Sequence, residues 1–287
     1  MIAALRVLAA LQLPHPFETA EAQRALLACV AVGAFAPTIG AFLVQKRLSL
    51  IGDGVGHVAY AGVGLGLLSG VWPVWTALLF AVGGAIGVEL LRSRRRASGD
   101  LALALFFYAG LALGLVFATK AGNVDVETLP YLFGDALGVS PGGLAAVVGV
   151  GAAVAGVIWS LRRVLFAVVT DEDWARVAGL PVDALSIGLA ALTAAVIVAG
   201  MRIVGLLLVA ALMVLPVASA QLLARSFRAT VAMAAGIGAA SALAGLTLGL
   251  VLHVAPGGAI VLVAAAVFTA VSLARRATPH LVREGAA

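Results

Sequence analysis

Asp53 and His57 stand four residues apart inside an apolar run, within KRLSLIGDGVGHVAYAGVGLG at residues 46–66. At helical spacing the carboxylate and the imidazole share one face, one turn apart. The residues around them are small: Gly52, Gly54, Gly56, Ala59, Ala61, Gly62, Gly64 and Gly66. Such a helix lets its neighbours approach closely and presents two polar side chains where little else is polar. Ionisable groups at membrane depth are costly and by default face a cavity or pathway. One oxygen and one nitrogen donor suit Zn²⁺, Mn²⁺ or Fe²⁺, and two ligands are few enough to release a cargo. The spacing leaves two readings open: a pair of ligands or a gate on an ion path, or a mutually hydrogen-bonded pair that fixes helix packing.

No site for energy conversion accompanies the pair. A phosphate-cradling P-loop needs GxxxxGK followed by Ser or Thr, and neither lysine, Lys46 or Lys120, stands in one. The four histidines, His15, His57, His253 and His280, form no HExxH, and no GxSxG elbow marks a nucleophile. His253 lies beside Pro256-Gly257-Gly258 at a turn, and Asp135 lies in YLFGD. The first reads as an interfacial histidine and the second as a turn-forming acid. Both are also candidate points where cargo arrives from outside.

Composition dictates the elements that position these residues. Of 287 residues, 63% are hydrophobic and 11% charged, with a mean hydropathy of +1.15. This is an all-α, polytopic integral membrane protein. The net charge of +5 sits in short clusters between apolar runs, which is topology and not a nucleic-acid footprint. The lone Cys29, inside an apolar run, excludes an internal disulfide and reads as a packed thiol.

About nine transmembrane helices are expected, near residues 25–44, 50–68, 74–91, 101–118, 144–161, 184–199, 203–223, 230–252 and 259–274. The whole of 1–287 reads as a single membrane domain, with an interfacial helix in 1–20. Pro37 with Gly40 should kink the first span, and Pro216 should break or bend the seventh. Trp72 and Trp75 suit an aromatic belt, Glu89 should pair with the Arg92–Arg96 run, and Asp100 opens the fourth helix. Residues 168–185 are the soluble-looking stretch between spans. Asp171-Glu172-Asp173 starts a helix of two or three turns there, and Gly179-Leu180-Pro181 stops it. It is either an ordinary amphipathic loop helix or a docking knob with Trp174 and Val177 as anchors. With the N-terminus outside and the C-terminus cytoplasmic, only Arg6, Arg24, Lys120 and Arg202 of the 18 basic residues fall outside. The positive-inside rule selects that orientation and makes the 168–183 region cytoplasmic.

In order along the chain, several blocks resemble the membrane permease of bacterial ABC importers for transition-metal ions, the family that contains the zinc-uptake permease. GDGVGHVAYAGVGLGLL is similar to its GD-x-x-x-HA-x-x-x-G-x-A-x-G segment: Asp53 and His57 match, while Val58 stands where the family usually has Ala. Asp100, YLFGDALGVSP, DEDWARVAGLP, RIVGLLLVAALMVLPVASAQLLARS and APGGAIVLV are similar to further blocks, so the likeness runs from about residue 26 to 273. FFYAG, residues 106–110, departs from a zinc-type pattern that carries a histidine there.

The resemblance implies a permease in the bacterial plasma (inner) membrane, not an enzyme. It would work as a homodimer with a cytoplasmic ATPase, which holds the ATP, and an extracytoplasmic metal-binding protein. Membrane lipid surrounds it, nucleic acid is no partner, and no cofactor is bound permanently. The cargo would be a divalent metal, zinc first and then manganese or iron. Asp53 and His57 would line the path near the dimer interface, and Asp171, Glu172, Trp174, Ala175, Val177 and Gly179 would dock on the ATPase. The alternative is a secondary transporter, which predicts inverted repeats and several acids within spans. Asp53 is the only acid well inside a span, and no repeat is evident. An intramembrane enzyme would need a catalytic set in one layer, which the sequence lacks.

Overall fold

Inside a bilayer no water bonds the backbone, so an apolar run must satisfy its own amides as a helix. In the computed structural model, which describes residues 16–93, 98–122 and 128–277, these runs form helices α1 (Ala20–Gln45), α2 (Ile51–Ser69), α3 (Pro73–Ser93) and α4 (Gly99–Ala121). A short α5 (Leu129–Phe133), a long α6 (Pro141–Thr170) and a short α7 (Glu172–Val177) follow. The last four are α8 (Val182–Met201), α9 (Leu206–Leu223), α10 (Phe227–Leu252) and α11 (Pro256–Ala277). Eight are long and apolar enough to cross a membrane. The shorter apolar α9 stands where the seventh span was expected.

Local chemistry sets the starts. The side chains of Thr19, Ser98, Ser140, Asp171 and Ser226 each accept a hydrogen bond from a backbone N–H of the following first turn. These caps satisfy donors that a helix start otherwise leaves open. Phe17 is buried, and its carbonyl accepts a bond from Gln23 Nε2 at 3.2 Å, folding the chain before α1 onto that helix.

Several expectations are corrected. α6 runs on to Thr170, past the boundary expected at 161. Arg162 and Arg163 end the apolar stretch but are good helix formers, so the helix continues. α7 has six residues, under two turns, because Asp171 caps it and the chain turns at Gly179 with φ +79°. Pro216 does not break α9, and Pro37 lies within a continuous α1. α9, at the place of the seventh expected span, begins at Leu206 and not at 203, because Gly205 adopts a left-handed φ of +106°. The interfacial helix expected in 1–20 lies outside the described residues up to 15, as do Arg94, Arg95, Arg96 and Arg283.

α2 is the most enclosed of the eight candidate spans. It packs along α4 and α3 and also meets α8 and α9. Contact with α4 is close enough to require Gly110: a Cβ there would lie 2.6 Å from the Val58 nitrogen and 2.7 Å from the His57 carbonyl carbon. On the other side of the molecule α1 packs on α10 and α6. Small residues at such crossings let helices approach without a hydrophobic driving force.

Candidate functional site

The small residues of α2 draw its neighbours in and leave His57 at the α4 seam. His57 is buried, and its ring meets the Phe107 ring of α4 edge-on, with centroids 4.2 Å apart. Phe107 in turn meets the exposed Tyr108. The Nδ1 of His57 is buried with no hydrogen-bond partner. An orphaned buried polar atom is costly and calls for an explanation, a role as an ion ligand among them. Asp53 is half-buried in the first turn of α2, where a carboxylate also suits the helix start. Among the described residues no hydrogen bond or ion pair joins Asp53 to His57. The mutually bonded pair that would merely fix packing is therefore not what the structure contains. Nor do three or more metal-ligating acids, cysteines or histidines gather among the described residues. Asp53 and His57 can supply two ligands, and a full shell needs water or another chain.

A second polar cluster sits where the ends of α1 and α3 meet the starts of α7 and α8. Lys46, at the C-cap of α1, donates from Nζ to Glu89 Oε1 at 3.2 Å and to Ser186 Oγ at 2.7 Å. The same Nζ lies 3.2 Å from Glu172 Oε1. Arg92 forks onto both acids: Nη2 and Nε donate to Glu89 at 2.6 and 3.1 Å, and Nη2 and Nη1 donate to Glu172 at 2.6 and 3.3 Å. Lys46 and Glu89 are 4% and 2% exposed, so this is an internal ion quartet. Two positive and two negative charges with shared hydrogen bonds meet the conditions under which buried ions are tolerated. Burial alone would raise the carboxyl of Glu172. The hydrogen bond from Arg92 and the charges of Lys46 and Arg92 prevail and hold it below the ordinary carboxylate range. The expected pairing of Glu89 with Arg92 is present; Arg94–Arg96 lie outside the described residues.

The quartet turns α7 into a tethered helix with one free face. Trp174 and Val177 are 59% and 90% exposed, and Asp171 and Gly179 are exposed beside them. Ala175 is fully buried against Val168 and Val182. Glu172 faces the quartet. Arg176 pairs with Asp183 at 2.5 Å, bracing α7 against the start of α8.

At the opposite end, Asp135 is exposed: its backbone N–H donates to the Arg202 carbonyl, and its Oδ1 accepts from Gly138 N at 2.9 Å. The side chain closes a turn and the backbone lays the loop on the α8–α9 connection. His253 is exposed at the C-cap of α10, with φ +55°. Sequence reasoning did not find Phe107 or the link from Glu172 to Lys46 and Arg92. Glu172 is 80 residues from Arg92, and periodicity says nothing across that distance.

Residues 19–275 match the profile described as the ABC 3 transport family. The chain is 32% identical over 246 residues to the manganese transport system membrane protein MntC of Halalkalibacterium halodurans, covering 86% of this chain and 84% of that protein. It is 32% identical over 254 residues to a probable iron transport system membrane protein of Haemophilus influenzae, covering 88% and 93%. Among solved structures, PsaBC from Streptococcus pneumoniae in complex with Fab aligns with a TM-score of 0.80 and 30% identity, over 94% of this chain and 95% of that one.

Proposed function

The chain belongs to the ABC 3 transport family, and from that premise we propose that it is the membrane permease of an importer for a divalent transition-metal ion. Manganese is the first cargo, ahead of iron and zinc. The observation that carries this reading is His57: a buried imidazole whose Nδ1 has no partner, one turn from an unbonded carboxylate, on the most enclosed candidate span. A carboxylate beside an imidazole suits all three metals. The order of cargoes follows the relatives, which are named for manganese and iron. The absence of histidine from FFYAG agrees with moving zinc down.

Asp53 and His57 are two ligands of a transient site, completed by water or by a second copy of the chain across a homodimer interface. The ends of α1 and α3 lie on the cytoplasmic side, in keeping with the charge asymmetry. A separate ATPase docks on the free face of α7 through Trp174 and Val177, with Asp171 and Gly179 at its margin. Glu172 and Ala175 form the inner face that ties α7 to the permease. His253 and Asp135 lie where an extracytoplasmic binding protein delivers metal.

The test is uptake into vesicles holding permease, ATPase and binding protein, with Mn²⁺, Fe²⁺ and Zn²⁺ compared. ATP-dependent uptake with manganese leading is the expected result. Uptake driven by a proton gradient without ATP would make the protein a secondary transporter.

A further inference from the structure

A groove of about 740 Å³ opens between α1, α6 and α10, away from the α2–α4 seam. Its walls are apolar, including Ala155, Ile158, Val231 and Ala235, and its floor is aromatic: Phe227 meets Phe42 edge-on at 5.0 Å and Phe166 at 4.8 Å. Three arginines, Arg162, Arg163 and Arg228, line it together, and no acidic residue does. Among the described residues none of the three is ion-paired, whereas Arg92 and Arg176 are. Arg162 is held in place, its guanidinium 3.9 Å from the Trp159 ring centroid and its Nη1 donating to the Trp159 carbonyl. From Pro141 to Arg162, α6 rises roughly 33 Å at about 1.5 Å per residue, close to the roughly 30 Å hydrocarbon core. The arginines therefore lie at the water boundary while the apolar walls extend into the bilayer. Ser226 and the start of α10 add backbone N–H groups at the same mouth.

We propose that this groove is a binding site for an anionic phospholipid, its phosphate held by Arg162, Arg163 and Arg228 and an acyl chain laid between α6 and α10. Charge complementarity chooses the occupant: unpaired guanidinium groups at headgroup depth above an apolar slot match a lipid that is anionic at one end and aliphatic at the other. Each basic side chain near an anionic surface gives roughly a fivefold preference, so three give on the order of a hundredfold.

The experiment places the purified permease in nanodiscs of phosphatidylcholine with a minor fraction of phosphatidylglycerol and counts retained lipids by native mass spectrometry. The wild type should retain phosphatidylglycerol far above its share of the bilayer. Retention should fall about a hundredfold in Arg162→Gln/Arg163→Gln/Arg228→Gln, the arithmetic of three lost contacts. The exposed single variant Arg228→Gln should fall about fivefold and serves if the triple variant does not fold. Ala235→Phe, which fills the slot and keeps every arginine, should lose the lipid as well. Arg275→Gln/Arg276→Gln removes basic residues at the end of α11 that do not line the groove, and it should change nothing. Equal retention of the two lipids by the wild type would overturn the proposal, as would equal loss in the Arg275/Arg276 variant. Displacement of the lipid by inorganic phosphate alone would do the same, since it would deny the slot any role.

Discussion

His57 and Glu172 show how differently single residues reveal themselves. His57 was legible because an ionisable side chain in an apolar, glycine-rich run stands out in any one-dimensional reading. Its orphaned Nδ1 and its contact with Phe107 were not, because they depend on where α4 crosses α2. Glu172 read as an exposed docking acid, and the fold instead folds it inward onto Lys46 and Arg92. That geometry has a pH signature. Its carboxyl is held below its ordinary 4.5 despite partial burial, so the quartet's stabilisation is complete above that value and is lost as pH falls through the depressed one. Glu172→Gln should therefore lower the thermal midpoint at neutral pH, by an amount worth about 1–3 kcal/mol. The gap to wild type should stay level down to about pH 4.5 and close below it. Thermal unfolding of both proteins between pH 3.5 and about 7 checks this; a gap that widens on acidification would contradict the quartet.

At the scale of elements, the start of α7 was legible from Asp171, whereas Ser98, Ser140 and Ser226 cap α4, α6 and α10, which begin two or three residues before the starts expected from hydropathy. The ends were less so. A basic pair need not end a helix, and α6 runs seven residues past Arg163 to Thr170. α1 and α9 continue through Pro37 and Pro216, as neighbouring helices in a membrane allow. The docking role proposed for α7 rests on its being short and tethered. With Ala175 buried and Glu172 in the quartet, Trp174 and Val177 are the apolar groups left outward. Val177→Asp, at a 90% exposed position, should leave folding intact. It should also reduce ATPase recovered with the permease by tenfold or more, since a buried interface anchor is worth roughly 2 kcal/mol. Pull-down of the ATPase at fixed permease reads the effect, and full recovery would remove Val177 from the interface.

For the molecule as a whole, the class was legible from long unbroken apolar runs, which suit spanning helices and lack the alternation of barrel strands. The packing order was beyond the sequence, because α2 binds α4 and α1 binds α10 through glycine crossings that carry no pairing code. The structure groups Lys46, Glu89, Arg92 and Glu172 at one end and Asp135 and Arg202 at the other. We propose from the charge asymmetry that the first end is cytoplasmic. Cys29 is fully buried, so single cysteines report cleanly. Val177→Cys should react with an impermeant maleimide in inverted vesicles and Asp135→Cys in right-side-out ones; the reverse pattern would invert the protein. We propose that metal passes Asp53 and His57. The most direct measurement is uptake of radiolabelled manganese into vesicles carrying permease, ATPase and binding protein, comparing wild type with Asp53→Asn and His57→Ala, with ATP hydrolysis followed in the same vesicles. Both variants should assemble and hydrolyse ATP but lose at least tenfold of the uptake rate, the cost of about 1.4 kcal/mol or more at the barrier. Uptake at the wild-type rate in both variants would contradict it.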